Sequence, residues 1–245
     1  MRFARRLQRS RAVAYGDLLL PPASLRLGGA HFRDDGAFVE SGRRDVGKLR
    51  EAFGLGPTST ILDIGCGVGR LPIGLLAEFG EISGYVGADV NRSSVAWCAR
   101  HLEANHRGVR FSHLDAANAR YNKRGQPIDD SFQLPWDEDD FDVIFLYSVF
   151  SHMQDGDVRA YLKEFRRLLR PGGGVFLTAF VEEDVPYMEI NPADYGPLRW
   201  SGALHCVRYS SPFFDRMVRE AGLKTVRFDH GVETDGQSAL YLATR

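Results

Sequence analysis

The chain has 245 residues, of which 44% are hydrophobic, and its 31 basic and 32 acidic residues give a formal net charge of −1. This length suits one α/β domain with a well-filled core and excludes two large domains. The near-neutral charge argues against a long nucleic-acid partner, because proteins of that kind usually carry a basic excess.

Residues 1–44 are predicted to form an N-terminal segment that caps the substrate side in part. It is irregular up to residue 40, and a short helix is predicted over residues 41–55. Pro21-Pro22 and Gly28-Gly29 interrupt regular structure in this segment. Its arginine cluster, which lies within residues 2–11, is interpreted as a solvated terminus, and weak contact with an anionic membrane surface is the alternative. We expect neither a secretory signal nor a transmembrane segment, since no apolar run approaches the ~20 residues that span a bilayer.

From residue 60 onwards, β-rich runs alternate with helical periodicity. Strands are predicted at residues 60–64, 85–89, 109–114, 141–147, 175–180, 225–228 and 239–243, and helices at 71–79, 92–104, 158–169 and 211–221. This alternation predicts a Rossmann-like, doubly wound α/β fold whose seven-stranded, mostly parallel sheet is covered by helices on both faces. The last two strands are joined by a loop too short for a helical crossover, so they should pair antiparallel at the edge.

The turn after the first of these strands reads Asp63-Ile64-Gly65-Cys66-Gly67-Val68-Gly69. Its glycines allow a ligand to approach main-chain N–H groups, and the following helix adds a positive N-terminal dipole. Folds of this class bind ligands at the carboxyl ends of their strands, so this turn is the expected cofactor site. Asp89 ends the second strand, where a carboxylate can accept both hydroxyls of a ribose. Asp115 ends the third strand, where it would meet an adenine edge or, alternatively, cap a turn.

With these motifs, the chain resembles the class I S-adenosylmethionine (SAM)-dependent methyltransferases over about residues 45–245. The motifs that carry the resemblance are Ile61-Leu62-Asp63-Ile64-Gly65-Cys66-Gly67-Val68-Gly69-Arg70, Gly87-Ala88-Asp89-Val90, Leu114-Asp115-Ala116, Phe141-Asp142-Val143-Ile144 and Leu168-Leu169-Arg170-Pro171-Gly172-Gly173. The resemblance implies a methyltransferase domain over residues 45–245, SAM as the cofactor, and residues 182–210 as a substrate-side insertion.

The resemblance also implies a set of cofactor-binding residues in the glycine-rich turn and after the next three strands. The set is Asp63, Gly65, Cys66, Gly67, Gly69, Asp89, Val90, Asp115, Ala116 and Ser148. The turn would lie beneath the methionine part of SAM, with Asp63 holding its amino group. Asp89 would bind the ribose, the 115–116 pair would recognise the adenine edge, and Ser148 would lie beside the sulfonium.

A nicotinamide or flavin dinucleotide is the competing cofactor. Proteins that bind one typically show Gly-x-Gly-x-x-Gly, with a pyrophosphate on the helix N-terminus. Here the glycines are spaced Gly-x-Gly-x-Gly. A carboxylate at Asp63 suits an α-amino group and would repel a pyrophosphate, so the sequence favours SAM.

A hydroxyl or amine acceptor must lose a proton when it is methylated, and a base near the end of the fourth strand suits that task. His152 follows this strand and is the candidate base; the alternative is that it bonds a backbone carbonyl and fixes the loop. His205, in the aromatic-rich insertion, is the weaker candidate. No catalytic metal is expected, because the fourth strand does not end in the acidic cluster of the Mg²⁺-dependent catechol-type enzymes.

The sequence therefore predicts a metal-independent methyltransferase that acts on a small molecule, on oxygen rather than nitrogen or carbon. A natural product, a sugar or a lipid is the expected acceptor, by analogy with groups that carry these motifs. The alternatives are a protein or nucleic-acid methyltransferase and a non-catalytic SAM-binding partner subunit. Three cysteines without metal-ligand spacing, Cys66, Cys98 and Cys206, suggest reduced thiols and a cytoplasmic protein.

Overall fold

The computed structural model describes residues 11–26, 29–129, 131–195 and 199–245, and the chain divides into two compact units, residues 1–114 and 115–245. Of the arginine cluster, only Arg11 lies inside the described residues, so both the interpretation as a solvated terminus and the alternative of membrane contact concern residues outside them. Within the described ranges, no helix has the length and apolar character needed to cross a membrane.

The first unit contains a β-hairpin, three α-helices and three parallel strands within its described residues. They are β1 (Val13–Tyr15), β2 (Leu18–Leu20), α1 (Asp35–Phe53), β3 (Thr60–Ile64), α2 (Arg70–Phe79), β4 (Gly84–Asp89), α3 (Arg92–Cys98) and β5 (Val109–His113). Strand β4 pairs in parallel with β3 on one side and with β5 on the other. Helix α3 continues into a π-helical turn, Ala99–Glu103, so all the elements predicted after residue 60 are present in this unit.

The N-terminal residues are more regular than predicted. Strands β1 and β2 pair antiparallel, and helix α1 begins at Asp35 rather than near residue 41. The side chain of Asp34 accepts the N–H of Ala37 at 2.8 Å and so caps the helix earlier. The predicted segment boundary at residue 44 therefore lies within α1, which ends where Gly54 adopts a left-handed conformation.

Helices α1 and α2 cross at a close contact between two glycines. A Cβ added to Gly74 of α2 would lie 2.3 Å from the carbonyl carbon of Gly42 in α1. An ion pair between the buried Asp45 of α1 and Arg70 of α2 joins the same helices. Because Arg70 directly follows the glycine-rich turn, these contacts hold the start of α2 in place.

The second unit contains six strands and two α-helices within its described residues. They are β6 (Phe141–Leu146), α4 (Asp155–Leu168), β7 (Leu169–Glu182), β8 (Met188–Ile190), β9 (Val207–Ser210), α5 (Ser211–Glu220), β10 (Leu223–Asp229) and β11 (Ser238–Thr244). Strands β6 and β7 are parallel, whereas β11 pairs antiparallel with both β7 and β10. The seven predicted strands are β3, β4 and β5 of the first unit and β6, β7, β10 and β11 of the second. The antiparallel pairing of β10 with β11 confirms the predicted edge.

Two details of the second unit differ from the prediction. Helix α4 begins at Asp155 rather than at residue 158, and Asp155 and Asp157 lie in its first turn. Their charges still favour the helix, because the N-terminal end of its dipole is positive. Strand β7 begins at Leu169, and β8 and β9 extend its sheet within the predicted insertion, with β9 pairing against Phe180–Glu182.

Trp97 of α3 is the only tryptophan of the first unit. It is 4% exposed, and its ring centroid lies 5.0 Å from that of His101. In the described part of the chain, its Nε1 is the one buried side-chain nitrogen or oxygen without a hydrogen-bond partner. The indole is therefore buried near the end of the helix that follows β4, with its N–H unpaired.

Candidate functional site

The glycine-rich turn between β3 and α2 is a tight loop with three left-handed glycines, Gly65 (φ 77°), Gly67 (φ 53°) and Gly69 (φ 83°). The carbonyl of Ala88, near the end of β4, accepts the N–H groups of Gly65 at 2.7 Å and Cys66 at 3.1 Å. A Cβ on Gly69 would meet Leu102 at 2.6 Å, whereas one on Gly67 would meet nothing within 4 Å. Gly69 is therefore required by packing, and Gly67 leaves open space for a ligand.

Asp89 links this turn to the end of β4. Its carboxylate accepts the N–H of Gly67 at 2.8 Å and that of Asn91 at 2.7 Å. Burial raises the pKa of Asp89, and the two N–H bonds oppose that rise. Both oxygens keep lone pairs for additional donors, so the carboxylate can still accept a pair of ligand hydroxyls. The carbonyl of Val90 lies 3.2 Å from Nε2 of His113.

Asp63 is a buried carboxyl beneath the turn, 3% exposed. The hydroxyl of Tyr85 donates to it at 2.6 Å. Burial raises the pKa of Asp63 to about 7, while the Tyr85 hydrogen bond and the charge of Arg70 oppose the rise. A ligand ammonium would favour the ionised carboxylate, so Asp63, Asp89 and Gly67 together fit a ligand that carries an ammonium and vicinal hydroxyls.

The thiols of Cys66 and Cys98 lie against the same carbonyl of the turn. Their sulfurs are 3.8 Å and 3.6 Å from the oxygen of Gly67. Burial raises the pKa of both thiols well above the usual value. Both are therefore neutral packing groups beneath the turn.

Asp115 and Ala116 open the loop after β5, in the second unit. Asp115 is exposed, and its Oδ1 accepts the side-chain amide of Asn122 at 3.2 Å. The same amide donates to the carbonyl of Ala116 at 3.0 Å, and Gln126 donates its N–H to the Asp115 carbonyl. Asp115 thus has a partner within its own loop, and its remaining lone pairs are compatible with either predicted role.

Ser148, which follows β6, has a left-handed backbone (φ 57°) and is held by a ring of hydrogen bonds. Its N–H donates to Oγ1 of Thr178 at 2.8 Å, and Thr178 donates to Oε1 of Gln237 at 2.8 Å. The amide of Gln237 then donates to Oγ of Ser148 at 2.9 Å. The hydroxyl of Ser148 is left with its own proton to donate, and Oγ of Ser151 is 3.1 Å away.

His152 lies in the 3₁₀ turn Phe150–His152 after β6. Its Nδ1 is 3.0 Å from the carbonyl of Leu204. A carbonyl only accepts, so Nδ1 carries the proton and Nε2 has the lone pair. Burial lowers the pKa of His152 to about 4, and the charge of Arg120 lowers it further. The predicted carbonyl bond is present, and it leaves Nε2 able to accept a proton.

His205 has the opposite tautomer. Its Nδ1 accepts the N–H of Ser201 at 2.7 Å, so Nε2 carries the proton of the neutral ring. Burial and the charge of Arg120 lower the pKa of His205. In the neutral form, its outer nitrogen is therefore a hydrogen-bond donor, which suits it less than His152 as a base.

Three segments of the second unit meet around these histidines. Nδ2 of Asn118 donates to the His152 carbonyl at 2.9 Å, and its Oδ1 accepts the N–H groups of Arg120 and Tyr121. The Tyr121 ring lies 5.3 Å from that of His152. We refer to Arg120, Tyr121, His152 and His205 as the acceptor-side cluster. No pattern in the sequence indicates Arg120 or Asn118, because only folding brings them to the histidines.

The aromatic residues of the insertion mainly pack on one another. The rings of Phe180, Tyr195 and Trp200 have centroids 5.0–5.8 Å apart. Tyr195 donates to Glu182 at 2.8 Å, and Trp200 donates to the carbonyl of Pro192 at 2.9 Å. These three rings fix the connection between β7 and β9, and Trp200 supports His205 through a ring contact at 5.4 Å.

Comparisons with known proteins agree with this geometry. Residues 62–175 match a family model described as a methyltransferase domain. Methyltransferase GfsG from Streptomyces halstedii is 27% identical over 151 residues, which cover 58% of this chain and 45% of that protein. The chain thus spans about 45% of the length of this curated relative.

Two solved structures show the same fold. Magnesium protoporphyrin IX methyltransferase (ChlM) from Synechocystis PCC 6803, with bound SAM, is 14% identical with a TM-score of 0.56, covering 91% of this chain and 88% of its own. The [4+2]-cyclase SpnF is 18% identical with a TM-score of 0.57, covering 82% and 79%. Since one of the two is described as a cyclase, the fold does not by itself decide the reaction.

Proposed function

We propose that the chain, whose residues 62–175 match a methyltransferase-domain model, is a class I SAM-dependent methyltransferase and transfers the methyl group of SAM to a hydroxyl of a small molecule. The observation that carries the choice of an acceptor that loses a proton is the tautomer of His152. Its Nδ1 is occupied by the Leu204 carbonyl at 3.0 Å, so its Nε2 is an oriented proton acceptor. An acceptor that must lose a proton needs such a group.

The first unit supplies residues suited to the cofactor. Bound SAM would supply an electrophilic methyl group on sulfur. Asp63 would hold its ammonium, Asp89 its ribose hydroxyls, and Gly67 would leave room for the chain between them. The remaining residues of the set belong to the same proposal, with the roles that the family resemblance implies: Gly65, Cys66, Gly69, Val90, Asp115, Ala116 and Ser148.

The acceptor-side cluster supplies the proton chemistry. Nε2 of His152 would accept the proton that the acceptor hydroxyl loses when it is methylated. The lowered pKa keeps this nitrogen unprotonated at neutral pH. His205 presents an N–H in its neutral form, so we assign it to hydrogen bonding with the acceptor and the base role to His152.

We also propose that this reaction needs no metal. Strand β6 is followed by Ser148 rather than by carboxylates, and the acidic residues nearby precede the strand or lie at its start. Of these, Asp142 pairs with Arg170 at 3.2 Å. The three cysteines are free thiols, which supports a reducing compartment such as the cytoplasm.

Two measurements test the proposal. Calorimetric titration should show saturable binding of SAM and none of NADH, and NADH binding without SAM binding would contradict the cofactor assignment. A screen with SAM labelled in its methyl group, against hydroxylated small molecules and their O-methylated counterparts, should label only the free hydroxyl compounds. Labelling confined to amines or carbon atoms would contradict the choice of oxygen.

A further inference from the structure

The acceptor-side cluster presents more donors than proton transfer alone requires. Beyond Nε2 of His152, it offers the guanidinium of Arg120, the Nε2–H of His205 and the hydroxyl of Tyr121. Arg120 is half-buried, and it is fixed by donating to the carbonyl of Ser201 at 2.9 Å and to the hydroxyl of Tyr121 at 3.3 Å. Two of its five N–H donors are thereby used, and the others remain available to a ligand.

The charge of Arg120 is not neutralised by a neighbouring carboxylate. Within the described residues, no carboxylate oxygen forms an ion pair with its guanidinium, although most half-buried arginines there have one, such as Arg70 with Asp45 and Arg167 with Glu164. The groups hydrogen-bonded to Arg120 or fixed beside it are a carbonyl, a phenol and two histidines. After burial, its charge lowers the pKa of both histidines, whereas the charge of Asp235 raises that of His205. Among the described residues, Arg120 is therefore a positive charge without an ion-pair partner next to the candidate base.

These groups are held in place by three segments of the second unit. Asn118 ties the turn at residues 118–121 to the backbone of His152, and Ser201 ties Arg120 and His205 together through its carbonyl and its N–H. His152 in turn is bonded to Leu204, the neighbour of His205. Because these side chains are already held in position, less conformational entropy is lost when a ligand binds.

We infer that the methyl acceptor carries a carboxylate, which Arg120 and His205 hold while its hydroxyl faces Nε2 of His152. This inference rests on the proposed methyl transfer and names the class of substrate. A planar guanidinium matches a carboxylate with two parallel hydrogen bonds, and a single positive charge balances a single negative one. The exposed ring of Tyr121, 50% accessible, offers an apolar face to the rest of the acceptor.

The test uses benzoate as the probe and benzamide as its neutral counterpart, titrated into the full chain. Binding is followed through the ring signals of His152 and His205 in NMR spectra at pH 7.5. We expect benzoate to shift both sets of signals with millimolar affinity, and benzamide to bind at least about tenfold more weakly. Arg120→Gln should weaken benzoate binding by about tenfold or more.

Arg124→Gln is the matched control, because Arg124 lies on the same loop, is exposed and loses the same charge. It should leave benzoate binding within about twofold of the wild type. Equal binding of benzoate and benzamide, absence of saturable benzoate binding, or equal effects of the two variants would overturn the inference. SAM binding is measured separately by calorimetry, and the Arg120→Gln variant should retain it. If the wild type does not bind SAM, the proposed function is contradicted instead.

Discussion

Asp63 and His152 are buried ionisable groups whose pKa values move in opposite directions for the same reason. Burial penalises the charged form, so it raises the pKa of the carboxyl to about 7 and lowers that of the imidazole to about 4. His152 is therefore neutral at pH 7, and Asp63 is close to half protonated. A cationic ligand completes the ionisation of Asp63, and binding then becomes linked to the release of a proton.

The first prediction concerns Asp63 and SAM. Because the ligand requires the ionised carboxylate, its affinity should fall roughly tenfold between pH 8 and pH 6. Asp63→Asn should bind SAM weakly at both pH values and lose this dependence. Tyr85→Phe removes the hydrogen bond that lowers the pKa of Asp63, so the fall should begin at a higher pH.

Calorimetry across this pH range provides the measurement. Tyr15→Phe is the control, since Tyr15 is an exposed tyrosine of the same unit, and it should behave as the wild type. A pH-independent affinity in the wild type would show that Asp63 does not hold the ammonium.

The second prediction concerns His152. With a hydroxylated acceptor from the methylation screen, His152→Gln should lower kcat by about 10²–10⁴-fold and leave SAM affinity almost unchanged. The folded-state pKa lies below the ordinary value for histidine, so the neutral base is lost only when the pH falls towards about 4. The acid limb of kcat/KM should accordingly lie well below pH 6.

His205→Gln provides the contrast in the same assay. A donor that holds the acceptor should raise KM with a smaller effect on kcat. If both variants change only KM, or if His152→Gln retains full turnover, the assignment of the base is wrong.

At this scale, the sequence predicts residues that belong to one local motif and misses those that meet through the fold. The glycines, Asp63 and Asp89 are recognised because their spacing around a strand end is fixed by the motif. No local motif indicates Arg120 or Gln237, because their hydrogen-bond partners Ser201 and Ser148 lie far away in the sequence. The tautomers of the two histidines follow from backbone partners and are likewise visible only in three dimensions.

Helices α1 and α2 of the first unit cross at a close backbone contact. Gly42 and Gly74 bring the two backbones together, and the ion pair of Asp45 with Arg70 lies nearby. Helix α2 starts at the glycine-rich turn, so the position of that turn depends on how α2 packs against α1. The sequence predicts the position of α1 only approximately. Helix α1 starts earlier than predicted because one hydrogen bond, from the Ala37 N–H to the Asp34 side chain, caps it there.

The third prediction compares two glycines of α1. In Gly42→Ala, the new Cβ would lie 2.5 Å from the carbonyl oxygen of Arg70, and the forced separation should lower the free energy of unfolding by about 1–3 kcal/mol. Gly47→Ala adds a Cβ that meets nothing within 4 Å. It should raise the free energy of unfolding by roughly 0.5–1 kcal/mol, because alanine favours the helix.

Urea denaturation of the two variants and the wild type provides the comparison. SAM affinity should fall in Gly42→Ala and stay constant in Gly47→Ala, because only the first displaces the start of α2. Equal stabilities of the two variants would mean that the crossing is not close-packed in solution.

For the molecule as a whole, the alternation of strands and helices was enough to predict all seven strands and the antiparallel edge. The β1–β2 hairpin, β8 and β9 were not foreseen, because three- and four-residue strands carry too short a pattern to be distinguished from loops. The division at residues 114 and 115 also separates Asp63 and Asp89 from the acceptor-side cluster.

The fourth prediction follows from this division. In hydrogen exchange followed by mass spectrometry, SAM should protect amides of residues 63–69 and 85–91 in the first unit. The β1–β2 hairpin of the same unit should exchange at an unchanged rate and serves as the internal reference. Absence of protection at residues 63–69 would contradict the assigned cofactor turn.

The three tryptophans are divided between the two units, so tryptophan fluorescence can report on one unit at a time. Trp136 and Trp200 belong to the second unit, and Trp97 alone reports on the first. An indole that is 4% exposed, with no partner for its N–H, should emit at short wavelength and shift to the red when water reaches it. A chain in which Trp136 and Trp200 are replaced by phenylalanine would therefore report the unfolding of the first unit by itself, through the wavelength of its emission.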